Sequence, residues 1–245
     1  MGIISVTSLH GSPGVTTLAL GIVGKLTRLG RSAVYLEADP TGGVVAARFD
    51  RPLLPNLTSL AGAARHGLSV APVEAHLQYV LDGVRGILAH PAGTQTTAAL
   101  NVASGTLADT LRGDDGVAVV DLGRWFHEHP ATPLCAASEQ VIVVLRPVLE
   151  QVVLLLNAVD TWPIRERIAL VTVGHRLYSA RQIAAATGFE VLAQLPNPTV
   201  DDASSPTRHG RRRRASWASA VEQLGARIAT GSGNERSGTS VLESA

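Results

Sequence analysis

The chain has 245 residues, of which 45% are hydrophobic, and a formal net charge of +1. This length favours a single domain with a sizeable core. The near-neutral charge excludes a global field that would draw the whole molecule onto nucleic acid, and the single cysteine, Cys135, excludes an internal disulfide. Charged residues and a proline interrupt the longest apolar stretch, residues 141–156, so we expect no membrane-spanning helix and a cytoplasmic protein.

Short runs rich in β-branched residues alternate with helical stretches, which indicates repeated βα units. This pattern predicts an α/β fold, a mostly parallel twisted sheet of about seven strands with helices on both faces. Residues 1–229 should form this domain, and the Gly-, Ser- and Thr-rich residues 230–245 a disordered tail. The predicted strands lie near residues 3–8, 32–37, 83–88, 117–121, 140–145, 168–173 and 190–195, and the predicted helices near residues 15–29, 57–66, 94–111, 148–160, 180–187 and 216–229.

The first predicted strand leads into a Gly-rich turn with two threonines at the start of a helix. Residues 10–17 read His-Gly-Ser-Pro-Gly-Val-Thr-Thr. A loop of this kind binds phosphates through backbone N–H groups and the helix dipole, and its hydroxyl can hold Mg²⁺. Where such a loop carries a lysine this chain has Val15, and its one lysine, Lys25, lies about 15 Å further along the helix. The sequence predicts a nucleotide-binding scaffold with impaired chemistry.

Two aspartates follow later strands. Asp39 lies in the segment Glu-Ala-Asp-Pro-Thr-Gly-Gly of residues 37–43, and Asp121 ends the apolar run of residues 117–121. Carboxylates at the carboxyl ends of strands beside a phosphate loop can hold Mg²⁺-bound water or orient an attacking water. The alternative for residues 37–43 is an ordinary turn, because Asp-Pro and Gly-Gly are common turn pairs.

With these motifs in this order, the chain resembles the ParA/MinD family of deviant-Walker P-loop ATPases from residue 1 to about residue 229. The family pattern Lys-Gly-Gly-x-Gly-Lys-Thr-Thr is matched by residues 10–17, and Asp-x-Asp-Pro-x-Gly by residues 37–42. The family's apolar strand ending in Asp is matched by residues 117–121, and its later helix end, Val-rich strand and proline by residues 136–147.

The resemblance implies a P-loop NTPase fold with ATP and Mg²⁺ as cofactors. It makes Asp39 the residue that positions the attacking water, and it assigns Mg²⁺ to Thr16, Asp39 and Asp121 when nucleotide is bound. The nucleotide-binding residues that it assigns are His10, Gly11, Ser12, Pro13, Gly14, Val15, Thr16 and Thr17.

Three departures from the family pattern weaken this expectation. Val15 replaces the lysine that neutralises the β- and γ-phosphates, and His10 replaces the lysine that such proteins project across an ATP-sandwich dimer. The base-recognising asparagine is replaced by the Thr-Val-Gly of residues 172–174. A hydrogen bond to a charged group contributes about 1.5–3 kcal/mol, so one lost lysine weakens binding about 10- to 150-fold. We expect weak ATP and Mg²⁺ binding or none, and a pseudo-ATPase.

A basic run before the last predicted helix is the other candidate site. It could contact nucleic acid or an anionic membrane surface, or it could be a solvated loop. The residues of this run are Arg208, Arg211, Arg212, Arg213 and Arg214.

Two classes of function follow. The first is a positioning or scaffolding factor that acts through protein partners and as a homodimer, with the CpaE/TadZ-like organisers of pilus or secretion machines as the similar branch. The alternative is an active ATPase that partitions DNA or cargo, with the arginine run contacting nucleic acid. A small-molecule enzyme is disfavoured because no nucleophile–base pair can be placed.

Overall fold

The computed structural model describes residues 2–11, 14–64, 69–81, 83–113, 115–159, 162, 164–174, 177–197 and 217–234, with the backbone alone at 231–234. The strands are β1 (Gly2–Ser8), β2 (Ala33–Glu37), β3 (Gln78–Leu81), β4 (Val84–Ile87), β5 (Val117–Arg124), β6 (Gln140–Leu145), β7 (Ile168–Val173) and β8 (Glu190–Leu195). The helices are α1 (Val15–Arg28), α2 (Val45–Arg48), α3 (Leu57–Ala64), α4 (Val70–Ala75), α5 (Gly93–Arg112), α6 (Thr132–Ala137), α7 (Leu149–Val159), α8 (Ala180–Thr187) and α9 (Trp217–Asn234).

Within the described residues, one sheet of eight strands has the order β3-β4-β2-β5-β1-β6-β7-β8. All neighbouring strands are parallel except the edge pair β3 and β4, which is antiparallel. The central strand β1 is buried along its whole length, as expected for a parallel sheet with both faces covered.

Two hydrophobic cores lie on the two faces of the sheet. Alternate residues of β5 face opposite cores, with Val119 in one and Val120 in the other, as the two-residue period of a strand requires. Helices α1 and α9 cover the Val119 face, where Trp217 is almost fully buried. Helices α3, α5, α6 and α7 cover the opposite face.

The predicted fold class is confirmed: the sheet is mostly parallel, has helices on both faces, and contains all seven predicted strands. The structure adds β3, α2, α4 and α6, which were not predicted because four to six residues are too few to show a periodic pattern. Helix α9 ends at Asn234, five residues beyond the helix end predicted near residue 229. Residues 235–245 of the predicted tail lie outside the described residues, so the tail stays a prediction. Among the described helices, none is long and apolar enough to cross a membrane.

Candidate functional site: a phosphate loop without its lysine

The predicted phosphate loop connects β1 to α1 at the edge of the sheet where β1, β2 and β5 end. Gly11 and Gly14 adopt positive φ angles of 70° and 99°, a conformation that glycine adopts at low cost. The Ser8 hydroxyl donates to the Gly11 carbonyl at 3.2 Å. Residues 12 and 13, the predicted Ser-Pro of the loop, lie outside the described residues.

The start of α1 has the polarity that favours an anion. Gly14 caps the helix without a side chain, and the first turn contains no acidic residue. The first N–H groups of a helix lack intrahelical partners and carry a partial positive charge. Thr16 is half-buried at this end of the helix, and Thr17 is buried.

The position of the missing lysine belongs to the hydrophobic core. Val15 is only 5% exposed and packs in the core under α1. Lys25 cannot substitute for a lysine at this position, because its side chain packs against α9 so closely that a Cβ on Gly225 would lie 2.8 Å from its Cβ. His10 is exposed at the entrance of the loop.

Asp121 lies at the base of the loop and is almost completely buried. Its Oδ2 accepts a hydrogen bond from the Tyr35 hydroxyl at 2.9 Å, and its Oδ1 accepts one from the Gly123 N–H at 2.9 Å. Burial raises the pKa of Asp121, whereas hydrogen bonds from Thr16, Gly123 and Tyr35 oppose that rise. The structure thus joins the two predicted Mg²⁺ residues, Thr16 and Asp121, in one hydrogen-bonded cluster.

Asp39 reaches the same edge of the sheet from the end of β2. Its Oδ1 accepts hydrogen bonds from the Thr41 N–H at 2.9 Å and from the Thr41 hydroxyl at 2.7 Å. Its carboxylate lies directly against Gly123, where a Cβ would come within 2.1 Å of Oδ2. The charge of Asp39 raises the pKa of Asp121, so the two carboxylates are close enough to interact. Thr16, Asp39 and Asp121 therefore converge beside the loop.

Solved structures share this architecture. The septum site-determining protein MinD from Pyrococcus horikoshii OT3, complexed with Mg-ADP, aligns with a TM-score of 0.76 and 16% identity, over 95% of this chain and 97% of that one. A ParA family ATPase from Chlorobium tepidum TLS aligns with a TM-score of 0.76 and 13% identity, over 93% and 98% of the two chains. The chain has the ParA/MinD fold.

That fold is not confined to one activity. Cobyrinic acid a,c-diamide synthase from Mycobacterium smegmatis, solved with a bound ATP analogue and magnesium, aligns with a TM-score of 0.67 and 15% identity, over 96% of this chain and 97% of that one. No protein-family model and no curated protein sequence matches the chain. The similarity therefore establishes the ParA/MinD fold, and function has to be argued from the site.

Glu37 has a structural role in this version of the ParA/MinD fold. Its Oε1 accepts hydrogen bonds from the N–H groups of Val44 and Val45 at 2.8 and 3.1 Å, and its Oε2 accepts one from the Ala89 N–H at 3.0 Å. Burial raises the pKa of Glu37 to about 7 against the effect of these three donors. Within residues 37–43, Glu37 therefore has the structural role expected of an ordinary turn, because its hydrogen bonds attach this segment to the residues that follow β4. Asp39 lies in the candidate site.

The amide of Asn197 lies against Gly174, in the segment where this chain lacks the asparagine of the family pattern. Gly174, at the end of β7, has a φ of 87°, and a Cβ on it would lie 2.7 Å from Oδ1 of Asn197. Asn197 follows β8, so the fold brings its amide to the end of β7 from the next strand. Apart from Gly174, no feature of the sequence indicates this contact.

An aromatic corner follows Asp121 in the chain. The Trp125 ring stacks on His129 with centroids 4.7 Å apart, and Phe126 beside them is 45% exposed. His129 Nε2 is within 3.0 Å of the Leu122 carbonyl, and its Nδ1 accepts from the Ala131 N–H at 3.1 Å, so we assign the neutral Nε2–H tautomer. Burial lowers the pKa of His129 to about 4. Both nitrogens are occupied, which leaves neither of them available as a metal ligand.

The basic run of the sequence lies outside the described residues. The binding of nucleic acid or another anion by this run therefore stays a sequence prediction. It concerns Arg208, Arg211, Arg212, Arg213 and Arg214. Among the described residues, no group of three or more His, Cys, Asp or Glu side chains could hold a metal ion.

Proposed function

We propose that this protein is a degenerate ParA/MinD-like positioning or scaffolding factor that binds ATP weakly and does not hydrolyse it at a useful rate. The observation that carries the proposal is the burial of Val15 in the core at the start of α1, the position at which a phosphate loop carries its lysine. The fold and the loop suit a nucleotide, whereas the charge that would stabilise its terminal phosphates is missing at this position.

The residues present fit Mg-ATP in part. Hydroxyl and carboxylate oxygens such as those of Thr16 and Asp121 are the ligands that Mg²⁺ prefers, and the N–H groups at the start of α1 suit phosphate oxygens. When bound, the metal would neutralise phosphate charge. Asp39 has one oxygen engaged by Thr41 and would orient water only from the other.

Loss of the lysine should reduce hydrolysis more than binding. Phosphoryl transfer depends almost entirely on positioning and on charge stabilisation in the transition state. Groups aimed at developing charge are worth more there than in the ground state. We therefore expect nucleotide to act as a structural or switching ligand at most.

A role in positioning requires protein partners, and we propose a homodimer that organises a larger assembly such as a pilus or secretion machine. The competing function is a partitioning ATPase that binds DNA through its arginine run. These functions differ in two measurable properties, namely turnover of ATP and salt-sensitive binding of duplex DNA.

The test is calorimetric titration of the native protein with Mg-ATP beside Val15→Lys and Val15→Met variants. Methionine provides a similar unbranched chain without charge and is the matched control. We expect weak binding by the native protein and by Val15→Met, and binding about 10- to 150-fold tighter by Val15→Lys. Rapid ATP turnover by the native protein, together with salt-sensitive DNA binding, would instead identify the partitioning ATPase.

A further inference from the structure

Arg124 lies beside the phosphate loop at the end of the strand that carries Asp121. It is the one exposed residue of β5, and its Cα pairs with that of Ser8, the last residue of β1. The next residue, Trp125, donates its N–H to the Ser8 carbonyl at 2.8 Å. Neighbouring strands are about 4.8 Å apart, so the backbone of Arg124 is about one strand spacing from the residue that leads into the loop.

The backbone of this corner is held from two sides. The Thr7 hydroxyl donates to the Gly123 carbonyl at 3.0 Å, and the Ser8 hydroxyl donates to the Gly11 carbonyl at 3.2 Å. Arg124 and the loop are therefore attached to the same end of β1. A long side chain at residue 124 starts from a fixed position next to the loop.

The charges at this edge create a need for a cation. The carboxylate of Asp39 lies against Gly123 beside the loop, and Val15 contributes no charge. A polyphosphate entering here would be repelled by Asp39. Mg²⁺ would offset part of that repulsion, but the position from which a lysine would contact the phosphates is apolar.

The guanidinium of Arg124 can supply this positive charge. Several other arginines among the described residues are engaged, such as Arg28 with Glu222 and Arg227 with Glu190. Arg124 makes no hydrogen bond or ion pair with any described residue. A guanidinium forms paired hydrogen bonds with phosphate oxygens and is always charged.

We propose that Arg124 binds the terminal phosphates of a nucleoside di- or triphosphate and supplies the positive charge that Val15 does not. The inference rests on the proposed function, since it concerns the nucleotide that this loop would bind. It assigns the phosphate contact to the strand that carries Asp121 and not to helix α1.

The experiment compares Arg124→Gln with native protein by calorimetric titration against Mg-ATP, Mg-ADP and AMP. Arg31→Gln is the matched control, because Arg31 is also exposed but precedes β2 at the opposite edge of the sheet. We expect Arg124→Gln to weaken ATP and ADP binding about 10-fold or more and to leave AMP binding unchanged. Adding Val15→Lys to Arg124→Gln should restore ATP binding, and urea unfolding should show that all variants are folded.

Three outcomes would overturn the inference in distinguishable ways. Equal ATP binding by native protein and Arg124→Gln would refute the role of Arg124 and leave the proposed function intact. If Val15→Lys binds Mg-ATP and the native protein does not, Arg124 does not replace the lysine, although the loop still suits a nucleotide. If neither native protein nor Val15→Lys binds Mg-ATP, both the inference and the nucleotide site are rejected.

Discussion

The phenol of Tyr35 and the carboxylate of Asp121 form a buried hydrogen bond of 2.9 Å between the neighbouring strands β2 and β5. Both side chains are at most 1% exposed. Burial, followed by the charge of Asp121, raises the pKa of Tyr35 well above its ordinary value, so the phenol remains a donor. This bond fixes the carboxylate that also contacts Thr16 and thereby shapes the base of the phosphate loop.

Replacing Tyr35 with phenylalanine should destabilise the protein by about 1–3 kcal/mol, because it removes one donor from a buried carboxylate. The pKa of Asp121 should also rise, since the Tyr35 hydrogen bond lowers it. The free energy of unfolding in urea measures the first effect. Tyr79→Phe is the control, because Tyr79 is 69% exposed and its hydroxyl should contribute within about 0.5 kcal/mol. Equal losses in the two variants would contradict the role assigned to Tyr35.

Gly123→Ala should disrupt the position of Asp39. Gly123 has a φ of 61°, and a Cβ on it would lie 2.1 Å from Asp39 Oδ2, so the carboxylate would have to leave its hydrogen bonds with Thr41. Gly188 has a similar φ of 74° but open space around its Cβ position, so Gly188→Ala reports the backbone cost alone, about 1–2 kcal/mol.

We expect Gly123→Ala to lose more stability than Gly188→Ala in urea unfolding. Removing the carboxylate with Asp39→Ala should recover the difference in the double variant, since the clash disappears. If the two glycine variants lose the same free energy, the contact between Gly123 and Asp39 does not constrain the loop.

His129→Gln should reduce the loss of stability in acid. Burial lowers the pKa of His129 to about 4 from its ordinary value of 6.5, so as the pH falls the unfolded chain binds the proton before the folded protein does. Stability is then fully present above pH 6.5 and is lost as the pH falls toward 4, by about 2 kcal/mol between pH 7 and pH 5. Glutamine can still donate to the Leu122 carbonyl but does not titrate.

The measurement is urea unfolding of both proteins at pH 7 and pH 5. Glu37 contributes the opposite slope, because its raised pKa of about 7 gives stability below pH 4.5 that is lost as the pH rises through 7. The comparison of native protein with His129→Gln cancels this contribution, which is common to both. If native protein and His129→Gln lose the same free energy of unfolding between pH 7 and pH 5, His129 is not buried as a neutral ring.

The sheet and the loop could be predicted because they depend on local patterns. The apolar run of β1, the glycines of the loop and the threonines at the start of α1 are contiguous, and their conformations follow from residue type and spacing. Strand β3 and helix α6 were not predicted, since a segment of four to six residues carries no periodic signal. These short elements are fixed by the neighbours against which they pack.

The sequence by itself determined the α/β fold and the glycine-rich turn between β1 and α1, and it predicted a phosphate loop without its lysine, because strand and helix periods and glycine-rich turns are encoded in adjacent residues. Only the tertiary structure decided that Val15 is part of the core, that Glu37 binds backbone while Asp39 faces the site, and that Arg124 lies beside Ser8. These relationships join residues from different elements of the fold. They depend on strand order and register, which arise from packing of the whole chain.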